Sequence, residues 1–295
     1  MKKFILHITA FFIATLVLMY LLDFGFTKVY QTAKPRTRVQ HFRTQKDQKI
    51  DYIFIGSSRV QNGIVPSVIE ERTHKNVINL GFQAAKLHDI YTILKLVQYY
   101  NIKSEKIFIQ VDYIYNSSDV SPIFRPEVIP FIHENSIYND HLKYDSINYH
   151  KYNAIPFFRY ARNDLKIGIR EVILNLAQKQ TNVMKDKGYS PPLAKSEGHQ
   201  FSLPKQINEK SDYIDSIRQF SKKHKMNVVF YCAPFCHHTK NLDYVAKLQS
   251  KIPELHDFSV IIKEDSLFHN ANHLNDKGAR IFTAIFVDKV LNNKK

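Results

Sequence analysis

Five short apolar runs recur along the chain, at 51–57 (DYIFIGS), 76–81 (NVINLG), 106–113 (KIFIQVDY), 227–234 (NVVFYCAP) and 258–264 (FSVIIKE). Helical patterns separate them. Residues 88–102 place Ile90, Ile93, Leu94, Leu96 and Val97 on one stripe, 206–225 place Ile214, Ile217 and Phe220, and 276–292 place Ile281, Phe282, Ile285, Phe286, Val287 and Val290. Shorter helices fit Pro66–His74, where proline stands near the start, and 240–251. Strands this continuously apolar cannot leave one face in water. They belong to a parallel sheet covered by helices on both faces. Such a sheet places its site outside the carboxyl ends of the strands.

A different apolar pattern opens the chain. After Lys2 and Lys3, residues Phe4–Leu22 are interrupted only by His7 and two threonines, enough to cross a bilayer as a helix. A cleaved leader would leave through small residues, whereas Tyr20–Phe26 is bulky and aromatic, so an uncleaved anchor over 1–27 is expected. Residues 28–50, polar and unpatterned, read as a stalk, and 51–295 as the folded domain. The seven basic residues of 23–50 argue by charge for the reverse orientation. The short basic start before an apolar run is nevertheless the usual export layout, and the expectation is N-terminus inside, domain outside.

The net charge of +15 fits an anionic neighbour such as lipid headgroups or a polyanionic glycan, or else a Lys- and Asn-rich compositional bias. No zinc-finger spacing or aromatic RNP-like strand accompanies it, so nucleic acid is not expected. The two cysteines sit in YCAPFCHH (231–238), where Cys232, Cys236, His237 and His238 match no standard zinc spacing and read as a turn after a strand. No metal or other cofactor is expected. Residues 114–205 break the alternation and are rich in Tyr, Asn, His and Pro. They read as an insertion, a lid or substrate cradle, with one helix at 163–179.

Strand ends carry the chemistry-bearing residues. Gly56, Ser57, Ser58 and Arg59 follow the first, Gly81 the second, Asp112 the third, and EDSLFHNANHLNDKGA (264–279) the fifth. A serine after a strand is ordinarily a helix N-cap. A nucleophilic serine needs more: a base within hydrogen-bond reach and N–H donors for an oxyanion. Ser58 supplies the hydroxyl, Ser58 N–H and Gly81 N–H an oxyanion hole, and His273 the base. Arg59 reads either as a clamp for a substrate anion or as an ion-pair partner of Glu70 or Glu71. A metal-dependent phosphodiester enzyme would need clustered carboxylates that these ends do not offer.

In this order the blocks resemble the SGNH/GDSL hydrolase superfamily. IFIGSSRVQNGI resembles its first block, with Ser57 in place of the aspartate and Ser58 at the nucleophile. INLGFQAA resembles the second, with Gly81 at the oxyanion glycine, and HNANHLNDKGA the fifth, with His273 at the base. The resemblance covers 51–113 and 206–293. Its membrane-anchored branch, which tolerates Gly-Ser-Ser, includes the D-alanyl transfer protein of teichoic acid assembly and proteins of glycan O-acetylation.

Two departures stand out. The third-block asparagine is missing, leaving Asp112 or Asn116 nearest its place. The triad aspartate three residues before His273 is Asn270, with Asp265 as the alternative orienter. In serine proteases the same Asp-to-Asn change costs about 10⁴ in turnover through the wrong imidazole tautomer. The resemblance implies a three-layer αβα, flavodoxin-like sandwich with a five-stranded parallel sheet behind one transmembrane helix. It also implies a serine esterase or O-acyltransferase acting on acylated envelope glycans or teichoic-type polymers, with a membrane acyltransferase as partner. The alternative is a degenerate binding or scaffold subunit.

Overall fold

The computed structural model describes residues 1–182, 185–192 and 200–292. Strands β1 (Tyr52–Gly56), β2 (Val77–Gly81), β3 (Lys106–Gln110), β4 (Val228–Cys232) and β5 (His256–Asp257) form one parallel sheet in the order β2-β1-β3-β4-β5. Every residue of β1 and β2 is buried, as continuous apolar strands demand. Phe54 and Phe108 stack at 4.7 Å on one face and meet Phe286 at 5.4 and 5.2 Å. That face is covered by α4 (Pro66–Thr73) and α14 (Asp276–Phe286), while α5 (Leu87–Tyr99) and α12 (Asp212–Lys223) pack together on the other. The three-layer α/β architecture is therefore as the periodicity demands. Short α3 (Ser58–Gln61) follows β1, and α13 (Asp243–Lys251) precedes β5.

Several boundaries differ from the sequence reading. The run 258–264 is not the fifth strand: β5 is His256–Asp257, pairing with Tyr231 and Cys232. Beyond it the chain turns, with Asp257 Oδ1 accepting the Ser259 N–H at 2.7 Å, and Phe258 and Ile262 are buried in the core cluster that includes Phe282 and Phe286. Their hydrophobicity serves helix packing rather than a ladder. The helix expected over 163–179 is broken at Gly168 into α10 (Asp164–Ile167) and α11 (Ile169–Leu176), consistent with the helical cost of glycine. A small antiparallel pair, β6 (Phe268–Asn270) and β7 (His273–Leu274), precedes α14.

The chain divides into two compact units, Met1–Gln40 with Arg125–Gln180, and His41–Phe124 with Thr181–Lys295. In the first, α1 (Lys2–Thr32) is long and apolar enough to span a membrane, and its most apolar window is wholly unburied. The rest of this unit comprises α2 (Arg38–Arg43), which begins in it, α6 (Phe124–Val128), most of which lies in it, α7 (Ser136–Leu142), α8 (Tyr149–Ala154), α9 (Phe158–Arg162), and α10 with α11.

Residues 28–50 are not a stalk, because their few large side chains find partners. Tyr30 is buried and stacks on Tyr160, and Arg36 pairs with Glu171 at 3.1 Å and donates to the Lys179 carbonyl. In the other unit Phe42 packs edge-on against Tyr100. The insertion is likewise divided. Residues 125–180 assemble with α1, whereas Ile123 and Ser190–Pro192 belong to the α/β unit.

The exit of α1 is locked by Asp23. Its carboxylate accepts Arg159 Nη2 at 2.6 Å, Arg159 Nε at 3.1 Å and the Phe157 N–H at 2.8 Å. Arg159 is almost fully buried and also donates to Thr27 Oγ1. Removing one partner of such a pair strands a buried charge, at a cost of about 3 kcal/mol or more. Asp23→Asn should therefore speed backbone hydrogen exchange in residues 155–162 roughly a hundredfold in detergent micelles. An unchanged exchange rate would contradict this role for the pair.

Candidate active site

The site begins where β1 ends. A Cβ on Gly56 would stand 2.4 Å from Val60 Cγ2 and 2.8 Å from Gln110 Cβ, so only glycine lets the chain turn directly into α3. Ser57 is the N-cap: its Oγ accepts the Arg59 N–H at 3.3 Å and donates to Gln110 Oε1 at 2.8 Å. Ser58, at the first helical position, points its Oγ elsewhere, 2.7 Å from His273 Nε2. The ordinary cap and the candidate nucleophile are thus two different serines. As the first helical residue, Ser58 has no carbonyl of its own helix to which its N–H could donate.

His273 is placed by a hairpin. Asn270 and His273 pair across β6 and β7 with Ala271 and Asn272 as the turn, and the Ala271 carbonyl is held by Cys236 N–H at 2.9 Å and Thr239 Oγ1 at 3.2 Å. Asn270 Oδ1 accepts from the N–H groups of Asn272 (3.2 Å) and His273 (2.9 Å), and stands 3.0 Å from His273 Nδ1. Backbone N–H groups can only donate, so the amide must present its oxygen, not its NH₂. That oxygen requires a proton on Nδ1 and leaves the Nε2 lone pair facing Ser58. The tautomer problem of an asparagine in this position is solved by the hairpin's own backbone. Burial, with the charges of Arg59 and His269, lowers the His273 pKa from 6.5 to about 4.

The remaining sequence-nominated residues are placed differently. Asp265 does not meet His273; its carboxylate contacts Cys236, His237 and His238. Gly81 N–H already donates to Asn79 Oδ1 at 2.9 Å. A Cβ on Gly81 would lie 2.2 Å from Gln61 N and 2.9 Å from Ser57 O, so this glycine allows α3 to close onto β2 rather than supplying an oxyanion donor. Asn116 bonds Gln206 O and Asn208 N on the surface.

Arg59 is buried, not a substrate clamp and not paired with Glu70 or Glu71. It donates to Asp112 Oδ2 (2.7 Å) and the carbonyls of Ala233 (2.8 Å) and Pro234 (2.5 Å), its guanidinium 3.6 Å from the Phe235 ring centre. Asp112 also receives Gln110 Nε2 at 2.6 Å and Ile114 N–H at 3.0 Å, which spends both of its oxygens on the scaffold.

Sequence reasoning missed Gln110 and Asn79. Gln110 ties β3 to the Ser57 turn, and Asn79 Nδ2 donates to the carbonyls of Val60 and Ile64, both at 2.7 Å. The signal was available: a lone amide within an otherwise apolar buried strand needs partners.

Ser58, Asn270 and His273 open into a cavity of about 580 Å³, lined also by Gln61, Asn62, Gln83, Lys86, Tyr113 and His269. Among the described residues, Lys86 is the one fixed charge of the lining and no carboxylate is present. The turn after β2 exposes Gln83 and Ala84 to this space, Ala84 at φ 57°.

No family model and no curated protein matches the chain. Among solved structures it is similar to a candidate platelet activating factor from Streptococcus pneumonia, at 11% identity over 95% of this chain and 98% of that one, with a TM-score of 0.40. It is also similar to a candidate lipolytic protein of the G-D-S-L family from Desulfitobacterium hafniense DCB-2, at 12% identity over 79% and 95%, with a TM-score of 0.28. Likeness at this level says nothing about chemistry; what Ser58, His273 and Asn270 can do follows from their positions.

The scaffold role of Asp112 separates cleanly from an oxyanion role. Asp112→Ala should strand the buried Arg59 cation and cost about 3–5 kcal/mol, read as a fall in the denaturation midpoint. A variant of native stability that loses only activity would restore the oxyanion reading.

Proposed function

We propose that the chain is a serine esterase or O-acyltransferase of the SGNH type, anchored by α1, that acts on acyl esters of a cell-envelope glycan or teichoic-type polymer. The observation that carries this is the relay Ser58 Oγ–His273 Nε2 at 2.7 Å and His273 Nδ1–Asn270 Oδ1 at 3.0 Å at the mouth of a polar cavity. Ser58 Oγ attacks the ester carbonyl while His273 Nε2 takes its proton. The oxyanion forms beside Ser58 N–H, with the backbone of the Gln83–Ala84 turn as second donor. His273 returns the proton to the leaving alcohol, and water or a glycan hydroxyl, deprotonated by the same imidazole, releases the acyl group.

The described lining mixes Gln61, Asn62, Gln83 and Lys86 with Ala84, Ile123, Pro191 and Pro192, and its amides and lysine would hydrogen-bond a hydroxyl-rich or anionic polymer. A membrane-crossing α1 with the catalytic unit outside would hold that unit against envelope polymers, and a membrane acyltransferase would be the natural acyl donor.

Two measurements test the reading on the full chain in detergent. A fluorophosphonate probe should label wild type on Ser58 and leave Ser58→Ala unlabelled, with acetyl-ester turnover falling by about 10³ or more. A wild-type protein left unlabelled at Ser58 would leave a binding or scaffold subunit instead, and a wild-type rate for Ser58→Ala would overturn the mechanism.

The pH dependence is also fixed in sign. The working base is neutral imidazole, which dominates above its pKa, so kcat/KM should hold as pH falls through 6.5 and decline only as it approaches about 4. Asn270→Asp adds a carboxylate beside Nδ1. It should move that limb to higher pH and raise turnover at neutral pH on the order of tenfold to a hundredfold. A wild-type limb at 6.5 would contradict a buried base.

A further inference from the structure

The loop after β4 and the turn before β6 bring together side chains that the ester chemistry does not use. Asp265 Oδ1 lies 3.0 Å from Cys236 Sγ and 2.7 Å from His237 Nδ1, and Asp265 Oδ2 lies 3.1 Å from His238 Nε2. The donor atoms of Cys236, His237 and Asp265 all fall within 4.8 Å of one another. The two imidazole rings stand 3.9 Å apart, centre to centre. Three side chains crowd one carboxylate. Both rings are exposed, giving an ion a way in, while Cys236 is buried.

We infer that Cys236, His237, His238 and Asp265 form a zinc-type site, independent of the reading of Ser58. Sulfur, imidazole and carboxylate together select a borderline divalent ion such as Zn²⁺ over Ca²⁺ or Mg²⁺. Charge balances: a thiolate and a carboxylate neutralise a doubly charged ion. On binding, the Cys236 thiol gives its proton to solvent, the His237 proton moves from Nδ1 to Nε2 and the His238 proton from Nε2 to Nδ1, which frees both ligating lone pairs. One proton is released per ion. Cys236, His237 and Asp265 are the three donors already gathered, and His238, on the other carboxylate oxygen, would complete a structural rather than a catalytic set.

Its place in the fold gives it a purpose. Cys236 N–H holds the Ala271 carbonyl at the tip of the Asn270–His273 hairpin, and Asp265 opens the turn that leads into β6. An ion here staples both approaches to the hairpin. Cys232 takes no part; its Sγ meets the Ala233 carbonyl at 3.6 Å. The sequence reading of YCAPFCHH as a plain turn missed the site because Asp265, distant in sequence, completes it.

The test is Co²⁺ and Zn²⁺ titration of the chelator-stripped full chain in detergent. One Co²⁺ per chain should bind with a thiolate-to-cobalt charge-transfer band, displaced by Zn²⁺. Cys232→Ala should keep the band and Cys236→Ser abolish it. His237→Gln and Asp265→Asn should weaken binding roughly a hundredfold. Absence of the band from wild type, or its survival in Cys236→Ser, would overturn the assignment, as would undiminished affinity in both His237→Gln and Asp265→Asn.

Discussion

The Ser58–His273 geometry depends on one oxygen. Asn270 Oδ1 sits at the centre of a two-residue hairpin turn and takes two backbone N–H groups together with the imidazole Nδ1. An asparagine free to flip would present NH₂ to the ring and turn the lone pair away from the serine. Here the flip would set an NH₂ against two N–H donors in a half-buried site, at a cost of several lost hydrogen bonds. The hairpin therefore orients the ring as well as an aspartate would. It lacks only the charge, and burial, with Arg59 and His269 nearby, keeps the imidazole weakly basic.

A second network holds Ser58 opposite that ring. Ser57, Gln110, Asp112 and Arg59 form a continuous chain of bonds that ends on the carbonyls of Ala233 and Pro234. It crosses the carboxyl edge of the sheet from β1 through β3 to the end of β4. The order β2-β1-β3-β4-β5 reverses direction between β1 and β3, where doubly wound sheets open their crevice. Gly56 and Gly81 give α3 the room to close on that edge. The buried ion pair is thus a positioning device, and its charge also contributes to the low basicity of His273.

Much of this was legible before any coordinates. The sheet followed from apolar runs because burial on both faces leaves no other pattern. Ser58 and His273 follow from asking what stands at strand ends, Asn270 only from the resemblance of the last block, and the structure brings those three together. What failed was inference from residue type without a partner. Arg59 reads as a substrate clamp or a partner of Glu70 or Glu71, and Asp112 as the nearest substitute for the missing third-block asparagine, yet each neutralises the other inside. Gly81 was nominated for its N–H, but Asn79, two residues earlier on the same strand, consumes it. The stretch 28–50 looked like a stalk because sparse anchors such as Tyr30 and Phe42 carry no periodicity, and only the tertiary fold supplies what they pack against. Run 258–264 had strand composition but lacked a ladder position, since β5 had already formed at His256 and Asp257.

The central claim is that backbone donors fix the Asn270 amide and so the His273 tautomer. It is tested most directly by ¹⁵N NMR of histidine-labelled protein near neutral pH, with His273→Gln to assign the signals. The account predicts a neutral ring protonated on Nδ1, with Nε2 showing the shift of an unprotonated, hydrogen-bond-accepting nitrogen. A ring protonated on Nε2, or one exchanging freely between tautomers, would contradict it.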